Sequence, residues 1–308
     1  MNSTVRQRLV RARTLLLRWH RKQNKREFSW RHDVRDPYEV LVCEMMGQQT
    51  QASRIEIFLK KFLRKFPTVS ALANAKQSDV IRAWQGLGYN RRALHLHNAA
   101  KMIAVKHGGI IPRSQTDLLV LPGIGAYTAS AIRVFAFEEN SSAVDVNVSR
   151  VITRLSKKVR DRTELLPLMT VQEINEEIMP RKAIRDWHEA IMDFGATICT
   201  KNNPQCDICP LRNVCLSKGL YKKIHSSLDK KQQKEKQYFG APKRIWRGRI
   251  LKIITDGRRI GASDLKKSLH QQFGLTASEV SAILSMTLPE LLQEGFIRHS
   301  TNDSYSLK

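Results

Sequence analysis

Four cysteines, Cys199, Cys206, Cys209 and Cys215, stand in the segment ICTKNNPQCDICPLRNVC with the spacing C-x6-C-x2-C-x5-C. Thiolates bunched this tightly can hold one compact thiophilic centre, either a [4Fe–4S] cluster or a zinc ion. Two carboxylates lie far from them in the chain. Glu44 sits in VLVCEMMGQQTQ, mid-helix by its pattern, with apolar neighbours on both sides. Burial there would keep it protonated near neutrality, as a general acid requires; a buried glutamate bonded to the backbone is the plainer reading. Asp145, in SSAVDVNVSRV, stands just ahead of a helix expected to start near Asn147. It reads as an N-cap. The same position, beside free N–H groups and the positive end of a helix dipole, would also keep a carboxylate ionised. One protonated and one ionised carboxyl are what cleavage of a glycosidic bond calls for. The acid protonates the leaving group, and the anion faces an oxocarbenium-like sugar.

A third segment, LPGIGAYTASAI, has the form of a helix–hairpin–helix turn. Gly123 and Gly125 allow the tight turn and leave backbone N–H groups bare at the start of the next helix, where a phosphate can approach them. Such a hairpin grips the DNA backbone without sequence preference.

The elements that must position these groups read as nearly all helix. Asp36-Pro37 opens a helix through about Gln51. Further helices fit 52–66, 69–73, 77–87, 91–107, 115–121, 127–137, 147–155, 171–178 and 182–197, joined by short polar segments such as FPTVS and HGGIIPRS. No alternating βαβ pattern occurs, so a parallel sheet is not expected. The basic N-terminus reads as an amphipathic helix with Leu9, Leu15, Leu16 and Trp19 toward the core; a mitochondrial-type presequence is the competing reading. After Cys215 the polar, charged run KGLYKKIHSSLDKKQQKEKQYFGAPK reads as a linker. Beyond about Arg244 three helical patterns return. They are marked by Ile250, Leu251, Ile253 and Ile254, by Leu265 and Leu269, and by Val280, Ile283, Leu284, Leu288, Leu291 and Leu292. Two short strands around Thr301-Asn302-Asp303 follow. That pattern suits a winged-helix module or a generic helical packing domain.

The chain has 308 residues, 53 lysines and arginines against 28 acids, and a net charge of +25. Basic residues recur along the whole length, which points to a polyanionic partner, with DNA or RNA first. No run of about 18 apolar residues occurs, so no membrane span is expected. Five cysteines, four of them clustered, fit a reducing cytosol better than a disulfide scaffold. The odd one, Cys43, reads as a small buried residue.

The segments WRHDVRDPYEVLVCEMMGQQTQ, FPTVSALANA, WQGLGYNRRALHLHNAA, HGGIIP, LPGIGAYTASAI, VDVNVSRVITRL and WHEAIMDFGATICT, with the four-cysteine loop, run unbroken over about residues 28 to 216. Together they resemble the helix–hairpin–helix DNA glycosylases with an iron–sulfur cluster, most closely the MutY-type adenine glycosylases. The resemblance implies an all-α, two-lobed fold with double-stranded, mismatched DNA in its cleft. Its parts would be an N-terminal helix (1–28), a six-helix barrel carrying the hairpin (29–135), a cluster domain (136–222), a linker (223–243) and a winged-helix-like module (244–308). It implies Glu44 as the acid that protonates N7 of adenine, Asp145 as the carboxylate that stabilises the sugar cation, and Asn147 as its support. Gln49 and Tyr89 would wedge into the duplex where the base is flipped out. Glu189, Trp30 and Arg31 stand where the family reads the base, and the carboxylate of Glu189 can accept from the adenine N6 amine. The cysteines would hold a [4Fe–4S] cluster that shapes a basic loop and does no redox chemistry. Tyr127 stands where bifunctional relatives such as endonuclease III carry a Schiff-base lysine, so base removal without strand cleavage is expected.

Relatives with tyrosine at this place also include Mig-type thymine glycosylases acting on T:G or U:G, and a non-catalytic iron–sulfur DNA-binding protein is a third reading. The chain departs from the adenine enzymes at Gly47 (usually leucine), at Asn90 (the second tyrosine of G-L-G-Y-Y) and at Val146 (glycine in D-G-N). The segment from Ala241 is short where typical members carry a Nudix-like domain that reads 8-oxoguanine, so strong selectivity for that partner base is not expected. A monomer working on the nucleoid in the cytoplasm completes the reading.

Overall fold

A computed structural model describes residues 3–23, 26–32, 35–159, 164–220 and 235–308. In chain order its elements are α1 (Ser3–Gln23), α2 (Pro37–Gly47), α3 (Ala52–Lys65), α4 (Val69–Ala73), α5 (Gln77–Trp84), α6 (Arg91–Lys106), α7 (Gln115–Leu119), α8 (Ala126–Phe137), α9 (Val146–Ser156), α10 (Leu168–Ile178) and α11 (Ile184–Thr197). Then come β1 (Gln237–Tyr238), β2 (Ala241–Pro242), α12 (Lys243–Asp256), β3 (Arg259–Gly261), α13 (Ala262–Phe273), α14 (Ala277–Gln293), β4 (Ile297–Ser300) and β5 (Ser304–Leu307). The expected linker lies outside the described residues as far as Lys234; from Gln237 the chain already forms the β1–β2 hairpin.

The chain divides into two compact units, residues 1–44 with 112–228 and residues 45–111 with 229–308. In the first, the apolar stripe of α1 supplies Leu9, Ala12 and Leu16, fully shielded against Val148, Val151 and Ile152 of α9 and Trp187, Ile191 and Phe194 of α11. Leu15 and Trp19 pack on the edge of the same core. Arg13 donates to the Ile178 carbonyl (2.8 Å), tying α1 to the end of α10.

In the second unit, Ile81 of α5 and Leu94 of α6 share one core with Trp246, Ile250 and Ile254 of α12, Leu265 and Leu269 of α13, and Val280, Ile283 and Leu291 of α14. The sheet β3-β5-β4 is antiparallel throughout, so three helices carry a three-stranded wing. The hairpin around Thr301–Asp303 matches the sequence reading; β3 is an addition to it. Thr276 and Glu279 form a reciprocal capping box that starts α14.

Helix α2 begins as the sequence predicts, with Asp36 Oδ1 accepting from the Tyr38 N–H (2.9 Å). It stops at Gly47, four residues before the expected Gln51. The good helix formers of QQTQ are overridden because Arg92 takes the carbonyls of Met45, Met46 and Gln48, which a continuing helix would have used itself.

Candidate active site and cysteine cavity

The helix–hairpin–helix turn has the backbone its sequence demands. Gly123 adopts φ +80°, a region that favours glycine, and Gly125 caps α8 with nothing within 4 Å of where a Cβ would stand. The first turn of α8 is thus approachable at the backbone, and it carries Tyr127.

Glu44, Tyr127 and Asp145 are brought together from α2, α8 and the start of α9. Val42, Cys43, Met45 and Met46 around Glu44 are buried, while Glu44 itself keeps partial exposure. Burial first, and then the negative charge of Asp145, push the Glu44 carboxyl up to about 7; the Arg35 guanidinium pulls the other way. The Tyr127 phenol is driven well above its ordinary range by burial, with the charges of Glu44 and Asp145 adding to it. Tyr127 nevertheless keeps 36% of its surface exposed. The Tyr127 side chain is thus open to water beside the two carboxyl groups.

Asp145 is an N-cap in fact. Its Oδ1 accepts from the N–H groups of Asn147 (2.9 Å) and Val148 (2.7 Å), and its Oδ2 accepts from the Asn147 side-chain amide (2.9 Å). Asn147 is oriented in turn by Arg150, whose Nη2 donates to Asn147 Oδ1 (2.7 Å) and to the Gly195 carbonyl (2.7 Å). Val146 projects from the same turn, 72% exposed.

Gly195 faces this arrangement from α11. A Cβ on it would lie 2.7 Å from the Asn147 Cβ and 3.3 Å from its Cα. Gly195→Ala is therefore expected to push Asn147 off Asp145 and to slow any reaction that relies on that carboxylate by about ten- to a hundredfold. Stability should fall by roughly 1–3 kcal/mol. A melting curve beside the rate measurement separates the two effects.

Glu189 and Asp193, one turn apart on α11, are both buried and each receives an arginine. Arg31 forms a fork on Asp193 (2.7 and 3.0 Å), and Arg35 pairs with Glu189 Oε1 while lying over the Phe135 ring (5.7 Å). Trp30 stacks flat on Phe28 with centroids 4.5 Å apart. Arg35, Arg150 and Gly195 were not singled out by the sequence. Two arginines at i and i+4 in VDVNVSRVITRL were the available signal for Arg150 and its neighbour Arg154.

Gln49 and Tyr89 belong to the other unit. Both occupy left-handed backbone, φ 57° and 45°, which is uncommon for residues with a Cβ and tends to mark functional turns.

All four cysteines line one cavity, together with Val151, Arg154, Leu155, Phe194, Ile198 and Leu211. Arg150 donates to the Cys199 carbonyl (2.9 Å). Arg154 donates to the Thr200 carbonyl (2.8 Å) and touches Cys199 Sγ (3.4 Å). Burial pushes the Cys209 thiol up to about 12 and the Cys215 thiol up to about 11. Among the described residues no three His, Cys, Asp or Glu side chains converge closely enough to hold a metal ion.

The family model described as HhH-GPD superfamily base excision DNA repair protein matches residues 42–166, a span holding Glu44, Tyr127 and Asp145. An adenine DNA glycosylase of Mycolicibacterium smegmatis is 35% identical over 243 residues, 78% of this chain and 79% of that one. The chain belongs to the adenine DNA glycosylase family. Among solved structures, a thermostable thymine-DNA glycosylase superposes with a TM-score of 0.62 at 28% identity, covering 68% of this chain and 95% of that one. An endonuclease III bound to DNA superposes with a TM-score of 0.60 at 23% identity, covering 70% and 96%. The mostly helical helix–hairpin–helix glycosylase fold expected from the sequence is thus the fold of this family member.

Proposed function

We propose that the protein is a monofunctional DNA glycosylase that extrudes a mispaired adenine, opposite guanine or 8-oxoguanine, and hydrolyses its glycosidic bond. The observation that carries this is the meeting of Glu44 and Asp145, in which burial and the Asp145 charge push the Glu44 carboxyl up to about 7. Glu44 gives its proton to N7 of the adenine, which leaves as a neutral base. Asp145, held by Asn147, faces the oxocarbenium-like sugar until water adds. Glu189 keeps one oxygen on Arg35 and offers the other to the N6 amine. The turn at Gly123 brings the open backbone of Gly125 and the first turn of α8 toward a phosphate, and Gln49 and Tyr89 occupy the gap left by the extruded base. The protein works on double-stranded DNA as a monomer.

A panel of A:8-oxoguanine, A:G, T:G and U:G duplexes tests this reading. Adenine is expected to be released, leaving alkali-labile sites. Release of thymine or uracil with adenine untouched would favour a pyrimidine mismatch glycosylase, and release of no base would overturn the reading. Tyr127 has no amine to form a Schiff base, so borohydride in the same reactions is expected to trap no covalent adduct.

We further infer that the cysteine cavity suits a [4Fe–4S] cluster. The donor set is all thiol, and the four side chains line one cavity, a soft ligand set of the kind that iron–sulfur centres take. Cys199, Cys206, Cys209 and Cys215 would be its ligands. Two buried thiols with raised proton affinity become thiolates only against a strong positive centre. When bound, the cluster would supply structural support for the loop that Arg150 and Arg154 tie to α9. Purified protein is expected to be brown, with about four irons per chain; a colourless protein holding one zinc would refute the assignment.

A further inference from the structure

Arg92 is 6% exposed and lies under both of the left-handed turns. Its Nη1 donates to the carbonyls of Met46 (2.7 Å) and Gln48 (2.5 Å), on the turn that carries Gln49. Its Nη2 donates to Thr50 Oγ1 (3.0 Å), just past Gln49, and to the Gly88 carbonyl (3.0 Å), just before Tyr89. The guanidinium carbon sits 5.4 Å from the Tyr89 ring centroid and 5.4 Å from that of Trp84. Trp84 Nε1 donates to the same Gly88 carbonyl (3.2 Å). One rigid, planar cation thus collects acceptors from two turns about forty residues apart in sequence.

We propose that Arg92 is a positioning residue for base extrusion: it clamps the Gln49 and Tyr89 turns to each other, so that the two side chains enter the duplex as a pre-set pair. The inference rests on the reading of the protein as a base-flipping glycosylase. Left-handed backbone at a non-glycine residue is strained and persists only where the surroundings hold it. A stacked duplex resists a wedge, because each opened step loses its stacking. A turn free to relax to ordinary backbone would withdraw its side chain under that load. Arg92 removes this freedom from both turns with one group. A lysine, having a single nitrogen in place of a fork, cannot span both sets of acceptors.

The test uses the full chain and an A:G duplex carrying 2-aminopurine next to the target adenine, with single-turnover excision read in parallel. Arg92→Lys is expected to slow the fluorescence rise that reports extrusion, and excision with it, on the order of a hundredfold. Affinity for a matched duplex, set by phosphate contacts elsewhere, should stay within about twofold of wild type. Thr50→Val, which removes one acceptor while keeping shape, is expected to slow extrusion about three- to tenfold without altering melting; it carries the test if Arg92→Lys does not fold. Extrusion at the wild-type rate in the folded variants would overturn the proposal alone. A wild-type protein that neither extrudes nor excises any base would overturn this inference together with the functional reading beneath it.

Discussion

Glu44→Gln is expected to abolish excision while making the protein more stable above neutral pH. The amide has the shape of the acid and no proton to give, so the single-turnover rate should fall roughly 10²–10⁴-fold, the usual worth of a general acid. The stability change follows from the same burial. The Glu44 carboxyl rises from 4.5 to about 7 on folding. Below pH 4.5 both the folded and the unfolded chain keep the proton, and no difference arises. Between 4.5 and 7 the unfolded chain releases it while the folded one holds it, so stability falls as pH rises. Above about 7 the full cost is in place, about 1–3 kcal/mol after allowing for the partial exposure of the group. Glutamine removes that cost. Denaturant melts at pH 8 should show the variant more stable than wild type, and the gap should close toward pH 4.5. Wild-type excision should hold up to about pH 7 and then fall about tenfold per unit. A variant that is less stable at pH 8, or an excision rate indifferent to pH between 6 and 9, would show that Glu44 is an ordinary buried glutamate bonded to its helix.

Much of this site is legible in the sequence because its chemistry depends on local pattern. A carboxylate inside VLVCEMM conflicts with its apolar surroundings, and the structure keeps that conflict as a raised proton affinity. Aspartate just before VNVSRV is an N-cap by type and place, and it caps α9 with two backbone bonds. Gly123 was readable because only glycine adopts its backbone cheaply. The helices were readable from their apolar stripes, which hold the cores of α1, α12, α13 and α14; of the α14 stripe, Leu292 alone stands exposed, at the end of the helix.

What escaped the sequence is made by distant partners. The end of α2 is decided by Arg92, 45 positions beyond Gly47, which no helix propensity can anticipate. Arg35 and Glu189 are 154 residues apart, and nothing local to either announces that they pair. Gly195 sits in the last turn of α11, where a glycine reads as an ordinary approach to the end of a helix. Its purpose is visible only when the Asn147 Cβ stands where its own would be. The β3 strand is three residues long and acquires its identity from pairing with β5.

The two readings of Asp145, helix cap and sugar-facing anion, separate in one substitution. Asp145→Asn keeps an oxygen that can accept from the N–H groups of Asn147 and Val148, and asparagine caps helices about as well as aspartate. What it loses is the charge, and with it the interaction with the helix dipole, worth about 0.3–1 kcal/mol. Its amide nitrogen also meets the Asn147 amide, which donates to Oδ2 in the wild type. Stability should therefore fall by no more than about 1–2 kcal/mol, whereas excision should drop roughly 10²–10³-fold, as expected when a preorganised charge facing a developing cation is removed. Asp145→Ala should lose a similar share of the rate and also the cap. The asparagine variant carries a second consequence through Glu44. The negative charge that helps hold the Glu44 proton is gone, so whatever excision remains should lose its alkaline tolerance, with the fall beginning below the wild-type limb at about 7. An asparagine variant that excises within tenfold of wild type, with its pH limb unmoved, would reduce Asp145 to a cap and leave the sugar cation with no partner at this site.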